Sequence, residues 1–415
     1  MRYVSTRGDA PSLDFADALL AGPAPDGGLY VPTDWPRITA SDLRDFASLP
    51  YAEVAARVLA PFVEPSVDAG TIAELTHAAY AAFRHDDVVP VSPLSGPAPP
   101  ADEHLVELHW GPTFSFKDIA LTLLGRLFEH ELARRSTTIT VVGATSGDTG
   151  SAAVEACRDR AGIELVMLHP AGRITEIQRR QMTTVASPNI HNVAVDGTFD
   201  DCQDIVKALF ADPELRRRAR LATVNSINWA RVAAQTVYYV TTAVRLGAPD
   251  RPVSFCVPTG NFGNVLAGDI ARRMGVPIER LVIATNHNDV LARTHRTATM
   301  TLEPVVPSTS PAMDIAVSSN FERLLFELGG RSGHAVATAL AALRADGKLT
   351  LADDVAAALR AGFDAGSATD DDVAAAIARV LLDDDRLIDP HTAVAVHATK
   401  DRKRPTIVLS TAHPA

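Results

Sequence analysis

Lysine is scarce in this chain: five stand among 39 basic residues, and the rest are arginine. One of the five, Lys117, sits in Thr113-Phe114-Ser115-Phe116-Lys117-Asp118, just after a Gly-Pro turn and with aromatic residues on its N-terminal side. Lys207, Lys348, Lys400 and Lys403 lie in stretches that read as polar helix faces or loops. Arginine serves where only a positive charge is wanted. A lysine amine can also lose its proton when desolvated and form a Schiff base with an aldehyde. The plain alternative is a lysine lying along apolar neighbours with Asp118 as its counter-ion.

Three loops offer chemistry to set beside that amine. In GATSGDTGSAA (143–153), Thr145, Ser146, Asp148 and Thr149 supply hydroxyls and an acceptor around a helix start. That suits a carboxylate or phosphate, or simply a capped helix. In PTGNFGN (258–264), Gly260-Asn261-Phe262-Gly263-Asn264 follows a strand and opens a helix, so its backbone N–H groups can cradle a phosphate. It is neither a GxGxxG dinucleotide fingerprint nor a Walker A loop. The last strand, in TIVLSTAHPA, brings Ser410, Thr411 and His413 to its carboxyl end. An amine, a phosphate cup without nucleotide signatures and a hydroxyl for a ring nitrogen are the parts that hold pyridoxal 5′-phosphate.

These loops need elements to carry them. TITVVGAT (138–145), ELVMLHP (164–170), NIHNVAVDG (189–197), VSFCVPTG (253–260), LVIATN (281–286) and TIVLSTAH (406–413) read as strands. Helical stretches alternate with them, including WARVAAQTVYYVTTAVRLG (229–247), with Gly247 just past its end. The alternation predicts an α/β fold with a doubly wound parallel sheet, whose ligands sit at the carboxyl ends of strands. Pro90, Pro93, Pro97, Pro99 and Pro100 mark residues 88–103 as a linker or a crossing strand. Residues 300–385 read as a helical insertion without chemistry, with Thr369 as an N-cap before Asp370.

The bulk properties narrow the function. A chain of 415 residues fits two or three domains. A formal charge of −11 without a basic stripe excludes a nucleic-acid binder. Three scattered cysteines indicate no disulfide framework, and no metal site is expected. No apolar run is long enough to span a membrane, and no signal-peptide core opens the chain, so a cytoplasmic enzyme is expected.

In this order and at these separations, HWGPTFSFKD, TSGDTG, NSINWARVAAQ, PTGNFGN and STAHP resemble the threonine synthase family. Those are pyridoxal phosphate enzymes of the tryptophan-synthase β-like fold, fold type II. The likeness takes in PDGGLYVP and AMDIAVSSNFERLLFEL as well, and is greatest to the longer bacterial and fungal form. It implies an extra N-terminal domain over 1–95 and a catalytic core over 96–415, with a smaller α/β subdomain near 135–225. It implies that Lys117 holds the cofactor aldehyde, that Gly260, Asn261, Phe262, Gly263 and Asn264 hold its phosphate, and that Thr411 faces its ring nitrogen. Thr145, Ser146, Asp148 and Thr149 match the loop for the substrate carboxylate. Asn225 and Arg231 match positions for the substrate phosphate, with Asn228, Arg173 and Arg179 as competitors. Ser115 stands where alanine is expected, and Asn264 where relatives often have aspartate.

The implied reaction turns O-phospho-L-homoserine and water into L-threonine and phosphate, in a monomer or homodimer. The competing readings are a serine or threonine dehydratase, a phospho-lyase releasing 2-oxobutanoate, and a regulatory protein that kept the fold. A dehydratase needs no second anion site such as NSINWAR offers. The roles of His109, His391 and His413 stay open.

Overall fold

The computed structural model describes residues 1–94, 103–145, 147–399 and 406–414. Two sheets carry the loops. The larger runs in the order Phe363–Ser367, Ile278–Thr285, Val253–Pro258, Ile407–Ser410, Glu103–Glu107, Val91–Leu94. All neighbours pair in parallel except the antiparallel edge strand Val91–Leu94. The smaller sheet, Ile190–Val195, Ile163–Pro170, Ile139–Ala144 and Leu221–Ala222, is wholly parallel. Its inner strands Ile139–Ala144 and Ile163–Pro170 are rich in Val, Ile and Leu and mostly buried, whereas the edge strand Ile190–Val195 is half exposed.

Two helices link the sheets. Lys117–Arg135 is buried along most of its length, and Trp229–Arg245 is buried almost all round, so neither has a simple apolar stripe. Asn228 caps the second of these through its side chain, and Gly247, at φ 107°, follows its end. The N-terminal helices Tyr51–Val63 and Ala69–Tyr80 pack against this pair within one continuous core. Trp229 anchors that contact, with its ring centroid 5.9 Å from Tyr3, 6.0 Å from Trp35 and 5.8 Å from Phe62.

Residues 300–385 depart from the expected purely helical insertion. Helices Phe321–Leu328, Gly333–Asp346, Asp353–Gly362 and Asp370–Asp384 are present. Thr369 caps the last of them in a capping box with Asp372. Phe363–Ser367, however, is the edge strand beside Ile278–Thr285, and Lys348–Thr350 pairs with Thr299–Thr301. FDAGS lacks the β-branched residues that mark a strand, and an edge strand paired on one side needs less propensity than a central one. The proline-rich stretch divides: Val91–Leu94 is a strand, and 95–102 lie outside the described residues.

Candidate functional site

The lysine loop is built by contacts on both sides of Lys117. Asp118 accepts hydrogen bonds from the Thr113 N–H and Oγ1, each at 2.7 Å. Gly111 makes this closure possible, because a Cβ there would lie 2.4 Å from the Asp118 Cβ. On the other side, Ser115 bridges Ala412, the Phe116 N–H donates to Thr411 O at 2.9 Å, and the His413 N–H to Phe114 O at 3.0 Å. The loop thus extends the sheet beyond the strand Ile407–Ser410, and Lys117 starts its helix beside Thr411.

Lys117 is buried, and its Nζ lies 2.9 Å from Asp148 Oδ2 and 5.1 Å from the centre of the Phe116 ring. Phe114 does not cover the amine from the far side. It packs on His413 and under Arg84, whose guanidinium carbon is 4.3 Å from its ring centre. Asp118 is not the counter-ion. It is fully buried, and burial, only partly offset by the bonds from Thr113, pushes its carboxyl up to about 6. The partner is Asp148, thirty-one residues on.

Asp148 opens the helix Asp148–Cys157, which has no side-chain cap. Thr145 Oγ1 accepts from the N–H groups of Gly147 and Gly150 at 3.0 and 2.8 Å, shaping the turn before it. The N–H groups of Asp148 and Thr149 make no hydrogen bond among the described residues. Bare N–H groups at a helix start suit an anion. Ser146 lies outside the described residues. Gln178, from the helix Glu176–Thr183, donates to Asp148 Oδ1 at 2.7 Å. Burial alone would raise the Asp148 carboxyl. The Lys117 charge, then His391 and the bonds from Lys117 and Gln178 outweigh it and hold the carboxyl at about 2.

The glycine-asparagine loop forms the second cup. Phe262, at φ 64°, turns the chain into the helix Gly263–Met274, again without a side-chain cap. The N–H groups of Gly260, Asn261, Phe262, Gly263 and Asn264 are unbonded among the described residues. Gly260 has no room for a side chain, since a Cβ would meet Ala312 O at 2.6 Å. The Asn264 side chain turns away, accepting from Tyr238 at 2.6 Å and Tyr239 at 2.9 Å, and its Nδ2 is buried without a partner.

Two residues with no assigned chemistry brace this cup. Asn320 Nδ2 donates to Asn261 O at 3.0 Å and to Ser226 O at 3.1 Å, tying the cup to the NSIN loop. Arg323, wholly buried, donates to Asn320 Oδ1, to Ile227 O at 2.7 Å and to Tyr30 O at 3.1 Å. One guanidinium therefore joins the N-terminal segment, the NSIN loop and the cup. The only signal in sequence was AMDIAVSSNFERLLFEL standing among the resembling stretches.

The expected phosphate ligands separate. Asn228 is consumed as a cap and by bonds to Leu19 O and Thr223 O. Arg179 is exposed and paired with Glu176, and Arg173 is exposed. Arg231 is buried, with a bond to Val224 O at 2.9 Å, an Nε without partner and no carboxylate paired to it among the described residues. Burial lowers its guanidinium to about 10. Asn225 is half-buried in the loop that leads into the helix carrying Arg231. A buried cation without a carboxylate partner is costly to hold.

Residues 2–80 match the family described as threonine synthase N terminus, and residues 105–408 that of pyridoxal-phosphate dependent enzymes. A threonine synthase from Pseudomonas aeruginosa is 49% identical over 100% of this chain and 88% of its own. The chain belongs to the threonine synthase family. A Saccharomyces cerevisiae member is 38% identical, covering 100% of this chain and 87% of its own. The crystal structure of a PLP-bound threonine synthase from Brucella melitensis superposes with a TM-score of 0.96 at 48% identity, over 100% of this chain and 89% of that one. A maize serine racemase, at 12% identity and TM-score 0.55, shares the fold alone.

The family is one of lyases with fold type II architecture, and its cofactor is pyridoxal phosphate. The residues present fit that group. Five unbonded N–H groups at an uncapped helix start match a phosphate, and a buried lysine amine matches an aldehyde.

Proposed function

We propose that this enzyme converts O-phospho-L-homoserine and water to L-threonine and phosphate, the last step of threonine formation. The observation that carries the phosphorylated substrate is Arg231, a buried guanidinium with no carboxylate partner among the described residues. It stands in the first turn of the helix Trp229–Arg245, which follows the NSIN loop that Asn320 ties to the cofactor cup. A dehydratase acting on a plain hydroxy amino acid has no use for such a charge.

In this reading Lys117 holds the cofactor through its aldehyde. The N–H groups of Gly260, Asn261, Phe262, Gly263 and Asn264 hold its phosphate, and Thr411 faces its ring nitrogen. Bound there, the cofactor supplies an electron sink for negative charge left on the substrate carbon. Thr145, Ser146, Asp148 and Thr149 form the loop for the substrate carboxylate, which rests on the N–H groups of Asp148 and Thr149. Arg231 and Asn225 hold the phosphate ester and stabilise the charge of the phosphate as it leaves. A Cβ proton is lost, the electron pair of that C–H bond forms the Cβ–Cγ bond, and the Cγ–O pair leaves with the phosphate. Water then adds at Cβ as Cγ takes up a proton. Lys117 Nζ, freed when substrate takes its place, removes the Cα proton and later returns one as threonine is released. The buried setting beside Phe116 keeps water from the amine while it does so.

The reading divides the chain into an N-terminal domain over 1–95 and a catalytic core over 96–415, with a smaller subdomain over 135–225. The reading also takes the protein as a cytoplasmic monomer or homodimer; no helix among the described residues is long and apolar enough to cross a membrane. The test is to mix cofactor-loaded protein with O-phospho-L-homoserine and identify products by NMR. Threonine and phosphate in equal amounts are expected. Oxobutanoate and ammonia beside phosphate make it a phospho-lyase, and no turnover with the visible cofactor band present removes this substrate.

A further inference from the structure

The side chain of Asp148 stands in a loop meant for a substrate carboxylate, and it is itself an anion. Two carboxylates side by side repel, so its oxygens cannot be ligands for that group. What they touch is different. Oδ2 lies 2.9 Å from Lys117 Nζ, and Oδ1 accepts from Gln178 Nε2 at 2.7 Å. The loop therefore faces two ways: its unbonded N–H groups turn to an incoming anion, and its one carboxylate turns to the lysine.

We propose that Asp148 is the positioning residue for Lys117, holding the amine in place and balancing its charge while Lys117 carries the substrate's proton. This rests on Lys117 being the amine that works on the substrate. The C–H bond breaks with its electron pair left on the substrate, and the proton forms a new N–H bond on Nζ. The resulting ammonium sits in a largely buried site, where an unpaired cation is strongly disfavoured. Asp148 Oδ2 accepts its hydrogen bond and stays ionised throughout. When the proton returns to the product, Nζ is left at the same oxygen.

The groups facing Asp148 are few. Lys117 comes from its own helix and Gln178 from Glu176–Thr183. His391, from Pro390–Thr399, adds to the field and is turned by Asp389, which accepts from its Nδ1 at 2.9 Å. Asp118, the nearest acid in sequence, is occupied with Thr113. Asp148 is the one carboxylate bonded to the amine among the described residues.

Asp148→Asn keeps the shape and removes the charge. With the variant, the visible cofactor band should persist, KM should stay within about threefold, and kcat should fall at least ~100-fold. The pH dependence of kcat should also shift on the limb that reports the amine freed once substrate is bound. In cofactor-free protein, acetic anhydride at pH 7 should label Lys117 about tenfold faster than in wild type, read by mass spectrometry. Asp148→Glu should recover slow labelling and part of kcat. An unchanged kcat, or a raised KM with unchanged labelling, overturns the proposal and makes Asp148 a substrate ligand or a structural cap. Should Asp148→Asn not fold, Asp148→Ser carries the same comparison. Lys117→Arg separates the two readings: if it still turns over substrate, Lys117 is not the working amine. If it is inactive while Asp148→Asn is fully active, only the role of Asp148 fails.

Discussion

Replacing Asn320 by alanine tests whether the brace behind the cup governs ligand binding. The change removes hydrogen bonds to Asn261 O and Ser226 O and strips Arg323 of its acceptor on Asn320. Each neutral bond contributes about 1 kcal/mol, and a buried charged donor left unmet costs about 2 kcal/mol more. Global stability should therefore fall by about 4 kcal/mol, a large share of what a domain has. Only the bond to Asn261 acts directly on the cup, so cofactor affinity should weaken about fivefold. The Ser226 bond should raise KM for the phosphorylated substrate by a similar factor of about five. Lys117 is untouched, and kcat should change by less than about threefold. Cofactor-free protein titrated with pyridoxal phosphate, followed by absorbance, gives the first number, and initial rates give the others. Asn320→Asp provides the control, because it keeps the acceptor for Arg323 and loses both donors. It should weaken the cofactor at least as much while losing less thermal stability. A lowered melting temperature in both variants, with cofactor affinity and KM unchanged, refutes the reasoning and makes the clamp purely architectural.

Gly111→Ala should drive Asp118 off Thr113, since the added Cβ meets its carboxylate, and activity should drop ~100-fold or more with the cofactor band weakened; steady-state rates and absorbance check it. Asp118 titrates near 6 in the folded protein, above its ordinary value, so the folded state binds the extra proton. Stability from this group is greatest below about pH 4 and declines as pH rises through about 6, by about 3 kcal/mol in all. Asp118→Asn should remove that slope from denaturant midpoints measured between those pH values. Arg231→Ala should raise KM for O-phospho-L-homoserine at least ~10-fold with little change in cofactor affinity, and equal effects on both would make it structural.

What the sequence showed and what it hid follow from distance along the chain. The two loops with bare N–H groups were legible because such a loop needs glycines directly after a β-branched run, all within a dozen residues. Lys117 stood out by the scarcity of its type. The partner of Lys117 was not legible, because the nearest carboxylate in sequence, Asp118, belongs to Thr113, and the true one is reached only when the two sheets meet. The bracing by Asn320 and Arg323 was not legible, because Asn320 reaches the cup and the NSIN loop across 59 and 94 residues, and Arg323 reaches Ile227 and Tyr30 across 96 and 293. Asn264 faces Tyr238 and Tyr239 for a similar reason: whether a side chain or only its N–H faces a ligand is set by what packs behind it.

The strand Ile407–Ser410 lies inside the larger sheet, with Val253–Pro258 on one side and Glu103–Glu107 on the other. Each of its pairings spans a long stretch of chain, so it is among the slowest contacts to form. Until it is in place, its two neighbouring strands have open edges facing each other across a gap, and such edges recruit strands from other molecules. The same strand leads into Thr411 and the bridge to Ser115. A molecule that has not inserted it is therefore both inactive and sticky. Half-folded protein should be removed by aggregation or proteolysis rather than persist as an enzyme of reduced activity.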